Sequence, residues 1–202
     1  MLYFPRMNKF ADPARSGRTA LAIASLMLPL HLANAAAEVL EVDHAGSKIE
    51  VFVKTSVDSF IGHLGKYEAS VEMGDNSQLP AKAVVTFDFA DLKTGNSGRD
   101  AAMLKWLGYD KDPKASFVLN GWSSNGTTNL AVGELTIHGV KRTVEMPVKL
   151  NNESNRWEIS GECKLDHRDF NLPKIRKALI LTVDPHIRIS FHLVAGTADA
   201  NK

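Results

Sequence analysis

Apolar and polar residues alternate along most of the chain after residue 38, which is the spacing of half-buried β-strands. In residues 140–150 every second position is apolar apart from Arg142, and residues 156–166 and 186–194 repeat the pattern. One apolar and one polar face per strand is typical of antiparallel sheets, because parallel strands buried on both faces have continuous apolar runs. The pattern predicts an all-β fold of about eight strands, over residues 48–55, 66–73, 81–89, 115–122, 130–137, 140–150, 156–166 and 186–194.

Local features refine these strands. His138-Gly139 is short enough for a tight hairpin between the two strands that flank it. Pro147 lies within the longest strand, which predicts an edge or a bulge there, because proline has no N–H to donate to a ladder. In residues 115–122, strict alternation places Phe117 and Leu119 on one face and Val118 and Trp122 on the other.

One segment, Asp91–Phe117, interrupts the β pattern with the features of a helix. Asn96 or Ser97 is suited to cap its first turn, Asp100 lies where the helix dipole favours a negative charge, and Gly108 is a typical stop. The segment predicts a short helix over about residues 97–107. We expect it to cross the end of the β structure and close it, with Ser97, Arg99 and Asp100 fixing its start. Its apolar residues would plug or line the interior: Met103, Leu104, Trp106 and Leu107.

The first 37 residues resemble a secretory signal peptide. Arg15 and Arg18 precede an apolar run over residues 19–32, and small residues then offer cleavage sites after Ala35 or Ala37. The charged region before the run is long, so Met7 is an alternative start to Met1. We therefore expect a cleaved signal at residues 1–37, a single domain at residues 38–202 and export to the periplasm, with no transmembrane segment in the mature form.

Charge and composition exclude several classes of protein. Residues 1–37 hold four of the 24 basic and one of the 23 acidic residues, so the rest of the chain has 20 and 22. This near-neutral balance gives no support for nucleic-acid binding. The single cysteine, Cys163, cannot form an internal disulfide and lies on the apolar face of its strand, which favours a small buried thiol. The usual catalytic and cofactor motifs are absent, so no cofactor is predicted.

Six histidines follow residue 37, and none is spaced to guarantee convergence on a metal. Surface or supporting roles are the simpler interpretation. The alternative is a metal site or an enzyme that uses histidine and aspartate side chains. Its candidates are His63, His138 and His167, with Asp166 or Asp169.

A basic segment over residues 166–177 surrounds Phe170 with positive charge. One interpretation is a solvated loop with Phe170 turned inward. The other is a barrel mouth that holds an anionic lipid head group. The head-group candidates are Arg99, Arg168, Lys174 and Arg176.

Large apolar side chains fall on the predicted inward faces, where they either fill a core or line a cavity. A sandwich and a closed barrel share this pattern, and a barrel of about eight strands leaves room for side chains or one small ligand. The candidate ligand-binding residues are Phe87, Phe89, Met103, Trp106, Phe117, Leu135, Met146, Trp157 and Phe191.

Three segments together resemble the YceI-like family. They are DLKTGNSGRDAAMLKWLGYDKDPKASF (Asp91–Phe117), GELTIHGVKRTVEMPVKL (Gly133–Leu150) and LDHRDF (Leu165–Phe170), in this order and spacing. The resemblance covers about residues 38–195. It differs from the usual family pattern after Phe170, where Asn171 stands in place of glycine, and around His63-Leu64-Gly65-Lys66.

The resemblance implies a single antiparallel eight-stranded lipocalin-like barrel, often periplasmic, with an apolar pore. It implies an isoprenoid quinone or polyprenyl-type lipid as partner, frequent homodimers and no catalytic set. A periplasmic lipid carrier is therefore the leading hypothesis. The alternatives are a stress-response or interaction module with a filled core, and the metal-dependent enzyme described above.

Overall fold

The computed structural model describes residues 38–74, 78–177 and 181–197, so the predicted signal peptide lies outside the described residues. The elements follow the chain in this order: β1 Glu38–Val42, β2 Lys48–Thr55, β3 Ser59–Leu64, β4 Glu68–Met73, β5 Pro80–Asp88, a 3-10 turn Phe89–Asp91, β6 Leu92–Lys93, α1 Ser97–Leu107, β7 Lys114–Asn125, β8 Thr128–Ile137, β9 Val140–Glu153, β10 Arg156–Asp166, a 3-10 turn His167–Phe170, β11 Arg176–Lys177 and β12 Leu181–Gly196.

Eight of the strands form a closed antiparallel barrel, in the order β1-β4-β5-β7-β8-β9-β10-β12. The ring closes because β1 pairs with β4 along one edge, at Glu38↔Met73, and with β12 along the other, at Val42↔Ala195. The predicted all-β barrel and its single helix over residues 97–107 are confirmed. None of the helices in the described ranges is long and apolar enough to span a bilayer.

The strand that closes the ring was not predicted. β1 has the sequence EVLEV, and Val39 faces outward with 57% of its surface exposed. Apolar residues on both faces hide the alternation. β2, a predicted strand, pairs with another part of the same edge of β12, at Ile189↔Val51. β3 pairs with β2, and β6 pairs with β3, so these two strands extend the wall beyond β2.

The face predicted for Trp122 is wrong. The register of β7 with β8 shifts between Leu119↔Gly133 and Gly121↔Val132, which leaves one extra residue, Asn120, in β7. An extra residue in one strand reverses the faces of all residues beyond it. Trp122 therefore points inward with Leu119 and not outward with Val118.

Helix α1 begins and ends as its sequence predicts. Of the two candidate caps, Asn96 serves, since its side chain accepts a hydrogen bond from Arg99 N, and Gly108 ends the helix with φ 65°. The Asp100 carboxylate accepts hydrogen bonds from the hydroxyl and backbone N–H of Thr94, and these bonds lower the pKa of Asp100. The Arg99 guanidinium donates to Thr94 O at 2.9 Å, so Arg99 and Asp100 both fix the chain that enters the helix.

Two apolar clusters pack inside the barrel. One lies along its middle and includes Leu40, Val71 and Ile159. The second lies at the helix end, where Leu107 of α1 packs with residues of the strands and of the second 3-10 turn. We call this the closed end of the barrel. Its buried members are Phe89, Leu107, Ala115, Leu135, Leu165, Phe170 and Leu172.

Gly133 lets the Phe117 ring lie directly on the backbone of β8. A Cβ at this position would lie 2.3 Å from Phe117 Cε2 and 2.6 Å from Val118 O. We expect Gly133→Ala to lower the free energy of unfolding by about 1–3 kcal/mol, the usual cost of overpacking a core. Urea unfolding measures this. Gly121→Ala is the matched control, since nothing lies within 4 Å of its Cβ position, and an equal loss in both variants would contradict the explanation.

Candidate functional site

The barrel interior contains an apolar cavity. Its volume is about 130 Å³. This is below the range of about 300–1,000 Å³ that is usual for ligand pockets, so a long apolar chain fits only where side chains of the wall move apart. Among the described residues, no charged side chain lines the walls. They are formed by Ile49, Val71, Pro80, Ala83, Val85, Phe87, Phe117, Leu119, Trp122, Ala131, Leu135, Met146, Val148, Ile159, Cys163, Ile189, Phe191 and Leu193.

Five of the predicted ligand-binding residues lie on the cavity wall: Phe87, Phe117, Leu135, Met146 and Phe191. They come from five different strands. The structure brings them together because each occupies an inward position of its strand, where alternate side chains face the barrel axis. Their contact with a ligand stays a prediction.

The other four predicted residues are not part of this wall. Phe89 lies in the first 3-10 turn and is buried at the closed end, and Met103 packs against both apolar clusters. Trp106 turns toward the second 3-10 turn, where its Nε1 donates to Pro173 O at 2.9 Å. Trp157 is buried near the other end of the barrel.

Sequence reasoning missed Trp122, which lines the cavity and donates from Nε1 to Pro80 O at 2.8 Å. The available signal was Asn120-Gly121, a pair that favours a bulge over a continuous strand. Cys163 is also a wall residue, and it is the small buried thiol that its position in the strand predicts. Burial raises the pKa of this thiol.

A second, polar space lies next to the apolar cavity, on the side away from the closed end. We call it the vestibule. Its volume is about 720 Å³. On three strands its lining residues stand two positions from cavity residues: Asn129 next to Ala131, Leu150 next to Val148, and Trp157 next to Ile159. The described lining is rich in amides and has no charged side chain. It consists of Gln78, Leu79, Asn129, Leu150, Asn151, Asn152 and Trp157.

The basic head-group candidates lie at the closed end. Arg168 forms an ion pair with Asp166, and its guanidinium holds the pKa of Asp166 well below its usual range. Arg99 is bound to Thr94 and stacks over the Phe60 ring, with its Cζ 4.2 Å from the ring centroid. Lys174 is exposed in the following loop, and the side chain of Arg176 lies outside the described residues. The vestibule therefore receives no charge from Arg99 or Arg168.

The candidate metal-binding histidines lie apart in structural contexts of their own. His63 Nδ1 is 3.4 Å from Glu50, and His138 Nδ1 is 2.8 Å from Leu107 O, where it joins the β8–β9 hairpin to the end of α1. His167 is buried. Within the described ranges, no three histidine, cysteine, aspartate or glutamate side chains are grouped to hold a metal ion.

Solved structures share this barrel. BcnA from Burkholderia cenocepacia superposes with a TM-score of 0.66 at 25% identity, covering 76% of this chain and 99% of that one. A polyisoprenoid binding domain from Saccharophagus degradans gives 0.63 at 10% identity, covering 80% and 99%. The YceI protein of Campylobacter jejuni gives 0.56 at 19% identity, covering 67% and 83%.

Sequence comparisons agree. A UPF0312 protein of Yersinia pestis (strain Pestoides F) is 25% identical over 163 residues, which cover 75% of this chain and 84% of the relative. The model of the YceI-like domain matches residues 40–195, nearly all of the described barrel. The chain therefore belongs to the YceI-like family.

Proposed function

We propose that this protein binds the apolar chain of an isoprenoid-tailed lipid inside its barrel and acts as a periplasmic carrier or sequestering protein. The observation that carries the proposal is the cavity, since its wall is apolar throughout and one end is sealed by the closed-end cluster. Water finds no hydrogen-bond partners in an apolar cavity. The binding free energy of a hydrocarbon chain improves by about 25 cal/mol for each Å² of apolar surface that it buries there. The resemblance to a polyisoprenoid binding domain supports the same class of ligand.

The orientation of the lipid follows from the two ends. We place the tail toward the closed end and the head group in the vestibule, where amides of Gln78, Asn129 and Asn152 offer both hydrogen-bond donors and acceptors. Neutral oxygen atoms of a head group can accept hydrogen bonds from these amides. A buried anionic head group requires a cationic side chain, and the described lining has none. An isoprenoid quinone therefore fits the vestibule better than a polyprenyl phosphate does.

Two further parts of the proposal concern location and assembly. The signal-like residues 1–37 support export. For assembly, we propose a homodimer, and Val84 and Val118 form an exposed cross-strand pair on the outer wall where two barrels can meet. Binding a lipid requires no catalytic residue, so we do not propose an enzyme. Light scattering of the purified protein tests the dimer.

Native mass spectrometry of protein purified from its own periplasm tests the ligand. We expect the mass of a chain that begins near residue 38, with an adduct that organic extraction releases as an isoprenoid lipid. Tandem spectra of the extract distinguish a quinone from a phosphate ester. A protein without any adduct, whose crystal structure also shows a cavity filled by its own side chains, would favour the interaction module instead.

A further inference from the structure

Strands β9 and β10 pair along only part of their length. Their ladder runs from Arg156↔Glu153 to Gly161↔Val148, although β9 continues to Val140 and β10 to Asp166. Pro147 stands next to the last pair, so β9 becomes an edge at this point, as its sequence predicts. The wall of the barrel therefore has a seam between residues 140–147 and 162–166, at the closed end.

The chain that follows β10 fills this seam, and we call residues 167–173 the plug segment. Phe170 and Leu172 are buried, with 1% and 5% of their surface exposed. They pack with Leu165 of β10, and Val140 and Val144 on the free edge of β9 pack against the same cluster. Side chains thus replace the missing ladder.

Few polar contacts hold the plug segment in place. The Arg168–Asp166 ion pair is internal to this part of the chain, and Asn171 ends the 3-10 turn with φ 59°. Among the described hydrogen bonds, the bond from Trp106 Nε1 to Pro173 O ties helix α1 to the plug segment. Apolar packing and one indole bond therefore keep the seam shut.

A buried histidine lies at the same contact. His167 is 1% exposed, neither ring nitrogen has a hydrogen-bond partner in the described chain, and its ring packs edge-to-face on Trp106 with centroids 5.1 Å apart. The Leu172 backbone lies near the ring without hydrogen-bond geometry. An unsatisfied buried polar group costs about 1–3 kcal/mol, which weakens the closed arrangement. Any movement that exposes the ring to water recovers this energy.

We propose that the plug segment is a gate over a lateral opening between β9 and β10, and that bound lipid enters and leaves the barrel there. The inference rests on the proposed lipid-binding function. The seam lies beside Leu135 and Ile189, which line the cavity and also contact the closed-end cluster. Outward movement of Phe170 and Leu172 therefore opens the cavity to the side. A lateral route lets an apolar tail pass without drawing it through the amides of the vestibule.

The gate opens more readily in acid. Burial is the largest influence and lowers the pKa of His167, and Arg168 acts in the same direction, whereas the nearby Leu172 backbone and Asp166 act to raise it. Asp184 and His186 of β12 act on the Arg168–Asp166 ion pair. The other elements packed at this contact present uncharged side chains, which are Trp106 of α1 and Val140 and Val144 of β9. The closed state is thus fully favoured above the ordinary histidine pKa of about 6.5, and it loses ground as pH falls below that value, because the open, hydrated ring binds the proton.

Lipid release tests the gate. The protein is loaded with geranylgeraniol, a 20-carbon isoprenoid alcohol, and its transfer to phosphatidylcholine vesicles is timed at pH 7.5 and 5.5. We expect release from the wild type to be about tenfold faster at pH 5.5, from the proton linkage of one histidine. His167→Phe keeps a buried ring and removes the proton site, so its release should be slower and independent of pH in this range.

Two variants locate the exit. Trp106→Phe removes the bond to Pro173 at the plug segment, and Lys82→Met removes a bond to Glu72 on the outer wall as the control. We expect Trp106→Phe to speed release about fivefold, the effect of one hydrogen bond of about 1 kcal/mol, and Lys82→Met to release lipid as the wild type does. Equal release rates in the wild type and Trp106→Phe, or acid acceleration retained in His167→Phe, would overturn the gate and leave lipid binding intact. A wild type that takes up no geranylgeraniol would instead overturn the proposed function and the gate with it.

Discussion

Phe170→Ala is expected to lower the free energy of unfolding by about 3–5 kcal/mol, the usual cost of truncating a fully buried phenylalanine. Phe170 is the largest fully buried side chain of the described residues and is 1% exposed. It occupies the seam between β9 and β10, where no backbone ladder offsets the loss. Its removal leaves a void that Leu165 and Leu172 cannot fill without moving the 3-10 turn. Urea unfolding, followed by near-ultraviolet circular dichroism, measures the change.

Val57→Ala is the control for this experiment. Val57 lies in the turn between β2 and β3 with 64% of its surface exposed, so truncation to alanine there should cost less than about 0.5 kcal/mol. A loss of less than 1 kcal/mol in Phe170→Ala would mean that the plug segment contributes little to the closed end. That result would also remove the structural basis of the gate, because a plug that carries no packing energy cannot keep a seam shut.

Strict alternation predicted the barrel walls well. In β10, the apolar positions Trp157, Ile159, Cys163 and Leu165 are all buried, as their spacing requires. The reason is local, since successive side chains of a strand face opposite sides whatever its neighbours are. The helix was predictable for a similar reason, because caps and stops such as Asn96 and Gly108 act within one turn.

The features that the sequence did not predict depend on pairing between strands that are far apart in the chain. Trp122 was assigned to the wrong face because the bulge at Asn120 depends on the register of β7 with β8. Pro147 marked an edge or a bulge in β9, but the partner from which β9 separates there, β10, depends on pairing between distant strands. The vestibule brings together Gln78, Asn129 and Asn151, which lie far apart in the sequence and carry no common motif.

The basic head-group candidates Arg99 and Arg168 have local partners, and their contact with a ligand stays a prediction. Arg99 and Arg168 were predicted to hold a head group because they are basic and stand near apolar residues. In the structure each has a local partner, Thr94 for Arg99 and Asp166 for Arg168, and both lie at the closed end. Arg168 donates to both carboxylate oxygens of Asp166, which leaves fewer of its N–H groups for a ligand. The two residues of each pair are close in the sequence, but only the hydrogen bonds of the structure show that they are paired.

Ala131→Phe is expected to weaken geranylgeraniol binding at least about 100-fold while the barrel still folds, which corresponds to about 2.7 kcal/mol of binding free energy. Ala131 lies on the cavity wall between Trp122 and Met146, its cross-strand neighbours, and both of these also face the cavity. A phenyl ring at this position projects into the path of the tail, between the vestibule and the closed end. Isothermal titration calorimetry measures the affinity, and circular dichroism verifies the fold.

Val132→Phe is the matched control, because the neighbouring residue of the same strand points to the opposite face. It should bind geranylgeraniol as the wild type does, since its ring stands outside the barrel. Equal affinity in all three proteins would place the lipid outside the barrel and contradict the proposed function. Equal losses in both variants would instead indicate a general disturbance of β8. Only a loss confined to Ala131→Phe identifies the cavity as the lipid site, because the two substitutions differ in the face they occupy and not in the ring they add.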